Sequence, residues 1–156
     1  KGSLEEVFER EGVIWLFDGV EYAPNLGFGV RTAEVSGATA VIINVKKTHD
    51  ERRTIRRAGM RATRFIPVIY ATTEEVLAAC NRRIVVAEDV GDKAPWNADL
   101  TGDVLLVVGA ENAGVSKEVL DAADDIVRLP MPGFVPSYNL QVAVSALAIE
   151  RLRQSE

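Results

Sequence analysis

Two glycine-containing segments in the last third of the chain hold most of the residues whose types and spacing could do chemistry. The first, residues 109–114 (GAENAG), carries Glu111 and directly follows the short apolar run 104–108 (VLLVV). The second, residues 130–139 (PMPGFVPSYN), ends in polar groups that include Ser137 and Asn139. Ligands of open α/β sheets bind outside the carboxyl ends of strands, so a glycine loop after a buried strand is a candidate site. An ordinary strand-to-helix connection is the alternative interpretation.

Metal and hydrolase chemistry is poorly supported by the composition. His49 is the single histidine and Cys80 the single cysteine. A structural zinc site needs several cysteines and histidines, so we expect no metal site. Ser-His-Asp hydrolysis needs a buried histidine partner and is likewise poorly supported. One cysteine cannot form an internal disulfide, and with no signal peptide visible we expect a cytoplasmic protein. No apolar stretch reaches the roughly 18 residues of a membrane span, so we expect no membrane partner.

The basic residues are concentrated in one segment of an acidic chain. The formal net charge is -5, yet residues 46–64 contain eight Lys and Arg against two acids. A positive surface on an acidic body fits a polyanion such as RNA. We therefore predict RNA binding by four arginines of a helix in this segment, Arg52, Arg53, Arg56 and Arg57. A solvated arginine-rich helix without a partner is the alternative.

Short apolar segments alternate with helical patterns, which predicts an α/β fold with a mostly parallel sheet flanked by helices. Six strands are expected, at residues 13–17, 40–45, 65–70, 83–88, 104–108 and 126–129. Asn25 is expected to cap the helix after the first strand, and Asp50 the basic helix over 51–58. With 156 residues, 47% of them hydrophobic, the chain is most economically one domain.

The last predicted helix, over about residues 138–154, is apolar on nearly every face. A helix of this kind must be covered from several sides, and the sheet of a small domain covers only one of them. We therefore expect a second copy of the chain to cover another side, in a two-fold symmetric homodimer.

Three segments, in this order, resemble the SpoU/TrmH family of RNA ribose methyltransferases, part of the SPOUT class. They are residues 25–33 (NLGFGVRTA), 107–115 (VVGAENAGV) and 129–139 (LPMPGFVPSYN), the last followed by an alanine-rich helix. The resemblance extends over residues 13–153 and implies a single methyltransferase domain, 1–156, whose six-stranded α/β fold ends in a trefoil knot. It also implies S-adenosylmethionine as cofactor, a homodimer, and methylation of a ribose 2'-hydroxyl in tRNA or rRNA, with tRNA slightly favoured. The pair Phe28-Gly29 and the residue Tyr138 depart from the family pattern.

The resemblance implies a role for each matching position. The cofactor would lie against six residues, Ala87, Glu88, Gly109, Leu129, Met131 and Tyr138. The catalytic positions fall on Asn25, Arg31, Glu111, Ser137 and Asn139. Family proposals make Arg31 the base, but a guanidinium normally stays charged, so we expect Arg31 to bind the target phosphate. The other four would fix Arg31 and the loops, with Glu111 orienting either Arg31 or an amide; helix capping, loop hydrogen bonding or simple exposure is the alternative for each.

Two other classes of function remain as alternatives. The first is a non-catalytic RNA-binding or assembly module with the same fold. The second, a Rossmann-type oxidoreductase, is disfavoured because residues 109–114 lack the Gly-x-Gly-x-x-Gly spacing that pyrophosphate binding uses.

Overall fold

Six parallel strands form one sheet. They are β1 (Val13–Asp18), β2 (Ala40–Ile43), β3 (Val68–Tyr70), β4 (Arg83–Ala87), β5 (Val104–Gly109) and β6 (Asp125–Val127). The computed structural model describes residues 2–111, 113–135 and 137–156, so Asn112 of the first glycine loop lies outside the described residues. The strand order is β3-β2-β1-β5-β4-β6, with every pairing parallel. The predicted parallel α/β sheet is confirmed, and the threading of the C-terminal knot stays a prediction.

Helices cover both faces of this sheet. They are α1 (Leu4–Phe8), α2 (Ala23–Val35), α3 (His49–Ala58), α4 (Thr73–Ala79), α5 (Lys117–Ala122) and α6 (Leu140–Gln154), with 3-10 turns at Ala62–Arg64 and Pro95–Asn97. No helix in the described ranges is long and apolar enough to cross a membrane.

Two predicted helix caps are wrong. Asn25 lies inside the first turn of α2, because that helix begins two residues earlier and Pro24, whose fixed φ suits a first turn, sits there. Asp50 lies within α3, because Thr48 is the cap. The Thr48 hydroxyl accepts from the Glu51 amide at 3.1 Å, and the Glu51 carboxylate accepts from the Thr48 amide at 2.9 Å. This reciprocal pair satisfies two amides that would otherwise lack partners.

Strands β2, β3 and β6 differ from their predicted bounds by more than one residue. β2 ends at Ile43 and β3 begins only at Val68. Pro67 stands just before β3, an edge strand of the sheet, where its missing N–H breaks no ladder bond. β6 ends at Val127, so Leu129 leaves the sheet and is free to contribute to the loop beyond it.

The central strands are buried on both faces, as the apolar runs predict. Trp15 and Phe17 face the core formed with α2, α3 and α6, whereas Ile14 and Leu16 face the core formed with α1, α4 and α5. All six residues of β1 are buried. The sheet therefore holds its strand ends in fixed positions beneath the loops that follow them.

Close packing joins α2 to the basic helix α3. A Cβ atom at Gly27 would lie 2.5 Å from the Ala58 Cβ and 2.6 Å from the Ile55 carbonyl oxygen. Only glycine permits this approach without moving backbone. The helix that carries Asn25 and Arg31 is consequently held directly against the arginine-rich helix.

Candidate active site

A cleft of about 310 Å³ opens beyond the carboxyl ends of β4 and β5. The structure places all six predicted cofactor residues in its lining: Ala87, Glu88, Gly109, Leu129, Met131 and Tyr138. Two of the five predicted catalytic residues, Glu111 and Ser137, also line it. The two glycine-containing segments, which α5 and β6 separate in sequence, therefore both line one cleft.

The first glycine loop is folded tightly onto itself. The Gly114 amide donates to the Ala110 carbonyl at 2.8 Å. Gly114 has φ +70°, in the left-handed region that glycine tolerates best. A Cβ atom at Gly109 would lie 2.5 Å from the Gly114 carbonyl carbon and 2.6 Å from the Val115 nitrogen. Glycine is required at both ends of the loop for this shape.

The part of the cleft formed by the second glycine-containing segment and its neighbours is mostly apolar and partly aromatic. The Tyr138 hydroxyl donates to the Pro130 carbonyl, which fixes the ring at the cleft. Leu140 and Ala143, from the first turn of α6, extend the wall. These two residues were not among those predicted from the sequence, although their place directly after the second loop could have indicated them.

Asn25 and Glu111, distant in sequence, are hydrogen-bonded to each other. The Asn25 Nδ2 donates to the Glu111 Oε2 at 3.3 Å. Glu111 was expected to orient either Arg31 or an amide, and in the structure its partner is the side-chain amide of Asn25. This bond ties the start of α2 to the loop that lines the cleft.

Arg31 points toward the basic helix rather than into the cleft. It is exposed on α2, and its Nη1 donates to the Met60 Sδ at 2.9 Å. Met60 and Arg61 have φ of 50° and 72°, uncommon values for residues with side chains. The strained turn after α3 thus brings a thioether against Arg31, a contact that the sequence did not indicate.

Asn139 caps a helix, which was the alternative to the catalytic role predicted for it. It is the N-cap of α6, and its side-chain oxygen accepts from the Gln141 amide at 3.2 Å. Capping of this kind satisfies one of the free amides of the first helical turn. Asn139 itself does not line the cleft, whereas its neighbour Ser137 does.

Glu88 supports the loop from the side of β4. Its carboxylate accepts from the Val115 amide at 3.0 Å. Burial raises the pKa of Glu88, and the nearby Asp89 charge raises it further, while the Val115 hydrogen bond acts in the opposite direction. A half-buried acceptor therefore stands at the cleft wall.

The four predicted RNA-binding arginines, Arg52, Arg53, Arg56 and Arg57, are all exposed. The Arg52 guanidinium lies 3.8 Å from the centre of the Tyr70 ring, a stacked cation–π contact. Lys47, which belongs to the same basic segment, is buried at 8% exposure and bonds to Glu21 and Glu51. The positive surface is therefore smaller than the count of basic residues suggests.

Comparison with known proteins agrees with this geometry. Residues 12–149 match the SpoU rRNA Methylase family. The chain is 37% identical over 161 residues to the 23S rRNA (guanosine-2'-O-)-methyltransferase RlmB of Pseudomonas aeruginosa, with 99% of this chain and 65% of that protein aligned. It thus spans less than two thirds of the relative's length.

Two solved structures share the fold. The AdoMet bound rRNA methyltransferase from Sinorhizobium meliloti aligns with a TM-score of 0.87 and 28% identity, over 97% of this chain and 60% of that one. A structure presented as "Structural insights into the 2-OH methylation of C/U34 on tRNA" aligns with a TM-score of 0.82 and 25% identity, over 92% and 95%. Together with the family match over most of its length, these similarities show that the chain belongs to the SpoU rRNA Methylase family.

Proposed function

We propose that the chain carries an S-adenosylmethionine-dependent methyltransferase activity that acts on the 2'-hydroxyl of a ribose in rRNA. The observation that carries the proposal is the cleft, because one cavity gathers all six residues expected to touch the cofactor. The Pseudomonas relative is named for a 2'-O-methylation of 23S rRNA, which favours rRNA. A tRNA substrate is the second candidate, supported by the structural relative that concerns C/U34 of tRNA.

The cleft suits a small nucleoside cofactor. Its volume of about 310 Å³ falls within the usual range of small-molecule sites. Apolar surface in the cleft comes from Leu129, Met131 and Leu140. The Tyr138 ring would offer an aromatic face to a purine, and the Glu88 carboxylate would accept hydrogen bonds from hydroxyl groups. S-adenosylmethionine supplies a methyl group on a positively charged sulfur, an electrophile that needs no metal ion.

The protein's main task is then to hold the ribose hydroxyl in line with that methyl group. Correct orientation of two reactants can lower a barrier by roughly 7 to 11 kcal/mol. Arg31 would hold the target phosphate, and the Asn25–Glu111 hydrogen bond would keep the Arg31 helix in register with the cleft loop. If it turned from Met60 toward that phosphate, the guanidinium would also stabilise the negative charge that develops on the ribose oxygen as its proton passes to solvent water.

We propose two partners, RNA and a second copy of the chain. The exposed arginines of α3 continue to Arg31 through the Met60 contact, so RNA on α3 would lead toward the target position. On α6, Leu140, Val144 and Leu147 pack inward. Val142 and Ile149 are 43% and 64% exposed on another face, which we assign to the homodimer.

Transfer of labelled methyl groups to purified rRNA and tRNA tests the proposal. Wild-type protein should label rRNA, and Arg31→Ala should lose most of the signal, while Arg10→Ala, an exposed arginine outside the cleft and outside α3, should keep it. Equal labelling by wild type and Arg31→Ala would remove the role given to Arg31. Cofactor binding without transfer to either RNA would favour the non-catalytic module.

A further inference from the structure

Two carboxylates from different strands hold two consecutive amides of the chain. The Ser116 amide donates to the Asp18 Oδ2 at 2.6 Å, and the Val115 amide donates to the Glu88 Oε2 at 3.0 Å. Both amides lie between the first glycine loop and α5. Asp18 ends β1 and Glu88 follows β4, the strands on either side of β5. The loop that leaves β5 is therefore anchored from both sides by bonds of the stronger, charge-assisted kind.

Asp18 is far more buried than an acidic residue usually is. It is 2% exposed, and its Oδ1 accepts from the Asn44 Nδ2 at 2.6 Å. Asn44 is itself held, because its Oδ1 accepts from the Gly19 amide at 2.8 Å and its Nδ2 also donates to the Thr73 hydroxyl at 2.9 Å. Both donors to Asp18, an amide side chain and a backbone amide, are neutral groups.

Stability alone does not explain this arrangement. Removing a carboxylate from water is costly, and neutral or apolar replacements for buried charges are often as stable. A buried charge that accepts from neutral donors therefore points to a requirement for a fixed geometry. The geometry in question is that of the described residues 109–111 and 113–116, since Asp18 pairs with Gly109 in the sheet register and bonds to Ser116 at the far end of the loop.

We propose that Asp18, oriented by Asn44, is a positioning residue that sets the first glycine loop for cofactor binding. Asp18 does not line the cleft, so it acts through the loop and not by contact with a ligand. The loop is closed tightly on itself, so a shift at Ser116 carries Gly109 and Glu111 with it. This inference rests on the proposed function.

A charge swap provides the test. In Asp18→Asn the new amide can satisfy Ser116 only by turning its NH₂ toward the NH₂ of Asn44, which places two donors face to face. The double variant Asp18→Asn/Asn44→Asp restores the bonding pattern, because the amide introduced at position 18 can donate to the carboxylate introduced at position 44. That carboxylate can also accept from the Thr73 hydroxyl and the Gly19 amide. We expect Asp18→Asn to raise the dissociation constant for S-adenosylmethionine roughly 10- to 100-fold, and the double variant to recover most of that loss.

Hydrogen exchange of the Ser116 amide, followed by NMR without cofactor, measures the anchor directly. It should be faster in Asp18→Asn than in wild type and slow again in the double variant. Asp103→Asn is the matched control, because Asp103 also accepts from a backbone amide, that of Gly12 at 2.7 Å, but before β5. We expect its cofactor affinity to stay within about twofold of wild type.

The outcomes separate the two proposals. Wild-type protein that binds no S-adenosylmethionine would refute the proposed function, whereas unchanged Ser116 exchange in Asp18→Asn would refute the anchor. Faster exchange with wild-type affinity would refute the positioning role. If Asp18→Asn fails to fold, the double variant decides, since a folded swap that does not bind the cofactor would also refute the positioning role.

Discussion

Substitution of Gly109 by alanine should disturb the cleft strongly. The added Cβ would lie 2.5 Å from the Gly114 carbonyl carbon, whereas ordinary van der Waals contact begins at 3.4 Å. The backbone of the loop would therefore have to retreat by about 0.9 Å, and all three nearest atoms are backbone atoms that cannot rotate away.

Overpacking of this kind costs about 1 to 3 kcal/mol in the free energy of unfolding. For a chain of this size each kcal/mol lowers Tm by about 2 to 4 °C. Because Gly109 and Glu111 both line the cleft, the same displacement should lower methyl transfer on the order of 100-fold, the usual consequence of moving reacting groups by about 1 Å.

Thermal unfolding by circular dichroism would measure the first effect, and transfer of labelled methyl groups to rRNA, with a parallel titration of S-adenosylmethionine, would measure the second. Gly133→Ala is the matched control, because it belongs to the second glycine-containing segment and, apart from its chain neighbours, no heavy atom of the described residues lies within 4 Å of its Cβ position. A Gly109→Ala protein with the Tm, cofactor affinity and methyl transfer of Gly133→Ala would contradict this prediction.

Three more predictions address the carboxylate, the RNA surface and the dimer. Burial raises the pKa of Glu88, so folding favours the protonated carboxyl over the ionised one. The stability that Glu88 contributes is therefore present at low pH and is lost as pH rises through the raised pKa. Glu88→Gln should therefore unfold like wild type near pH 4 and be more stable at pH 8, by less than about 1 kcal/mol because solvent screens the half-buried group. A chemical denaturation series across pH would show the reverse trend if this is wrong. Phe65 is 75% exposed directly after the basic 3-10 turn, so Phe65→Ala should weaken RNA binding by about 1 to 3 kcal/mol through lost base stacking. The slope of log affinity for RNA against log salt concentration should be the same for Phe65→Ala as for wild type, whereas Arg53→Ala should reduce it by the equivalent of about one phosphate contact. Val35→Ala, at an equally exposed residue at the end of α2, should change neither the affinity nor the slope. Ile149→Glu should convert the proposed dimer to monomers in sedimentation velocity, and a wild-type protein that already sediments as a monomer would contradict the assignment of that face.

Local patterns determined the elements of the fold. The apolar runs that become β1 and β5 cannot be exposed, and between them further apolar runs alternate with helical patterns, so a parallel sheet follows. The glycines at 109 and 114 marked the loop at the correct strand end, since backbone conformation and close approach are local requirements.

The first residue of a helix was less predictable, because several neighbouring residues are suitable N-caps and tertiary and local hydrogen bonds decide which of them caps the helix. Thr48 and Asp50 are both acceptable caps, and only the reciprocal bond with Glu51 selects Thr48. Exposure was likewise beyond sequence reasoning, since Lys47 and Arg53 look alike in a basic segment although Lys47 is buried.

The amino-acid sequence by itself determined the sheet, the two loops at its carboxyl edge and the types of residue available there. Only the tertiary structure decided which of these residues meet. The contact of Asn25 with Glu111 spans 86 positions and that of Asp18 with Ser116 spans 98. Such bonds depend on strand order and on the close approach of helices, which arise when the whole chain packs and leave no local periodicity to read.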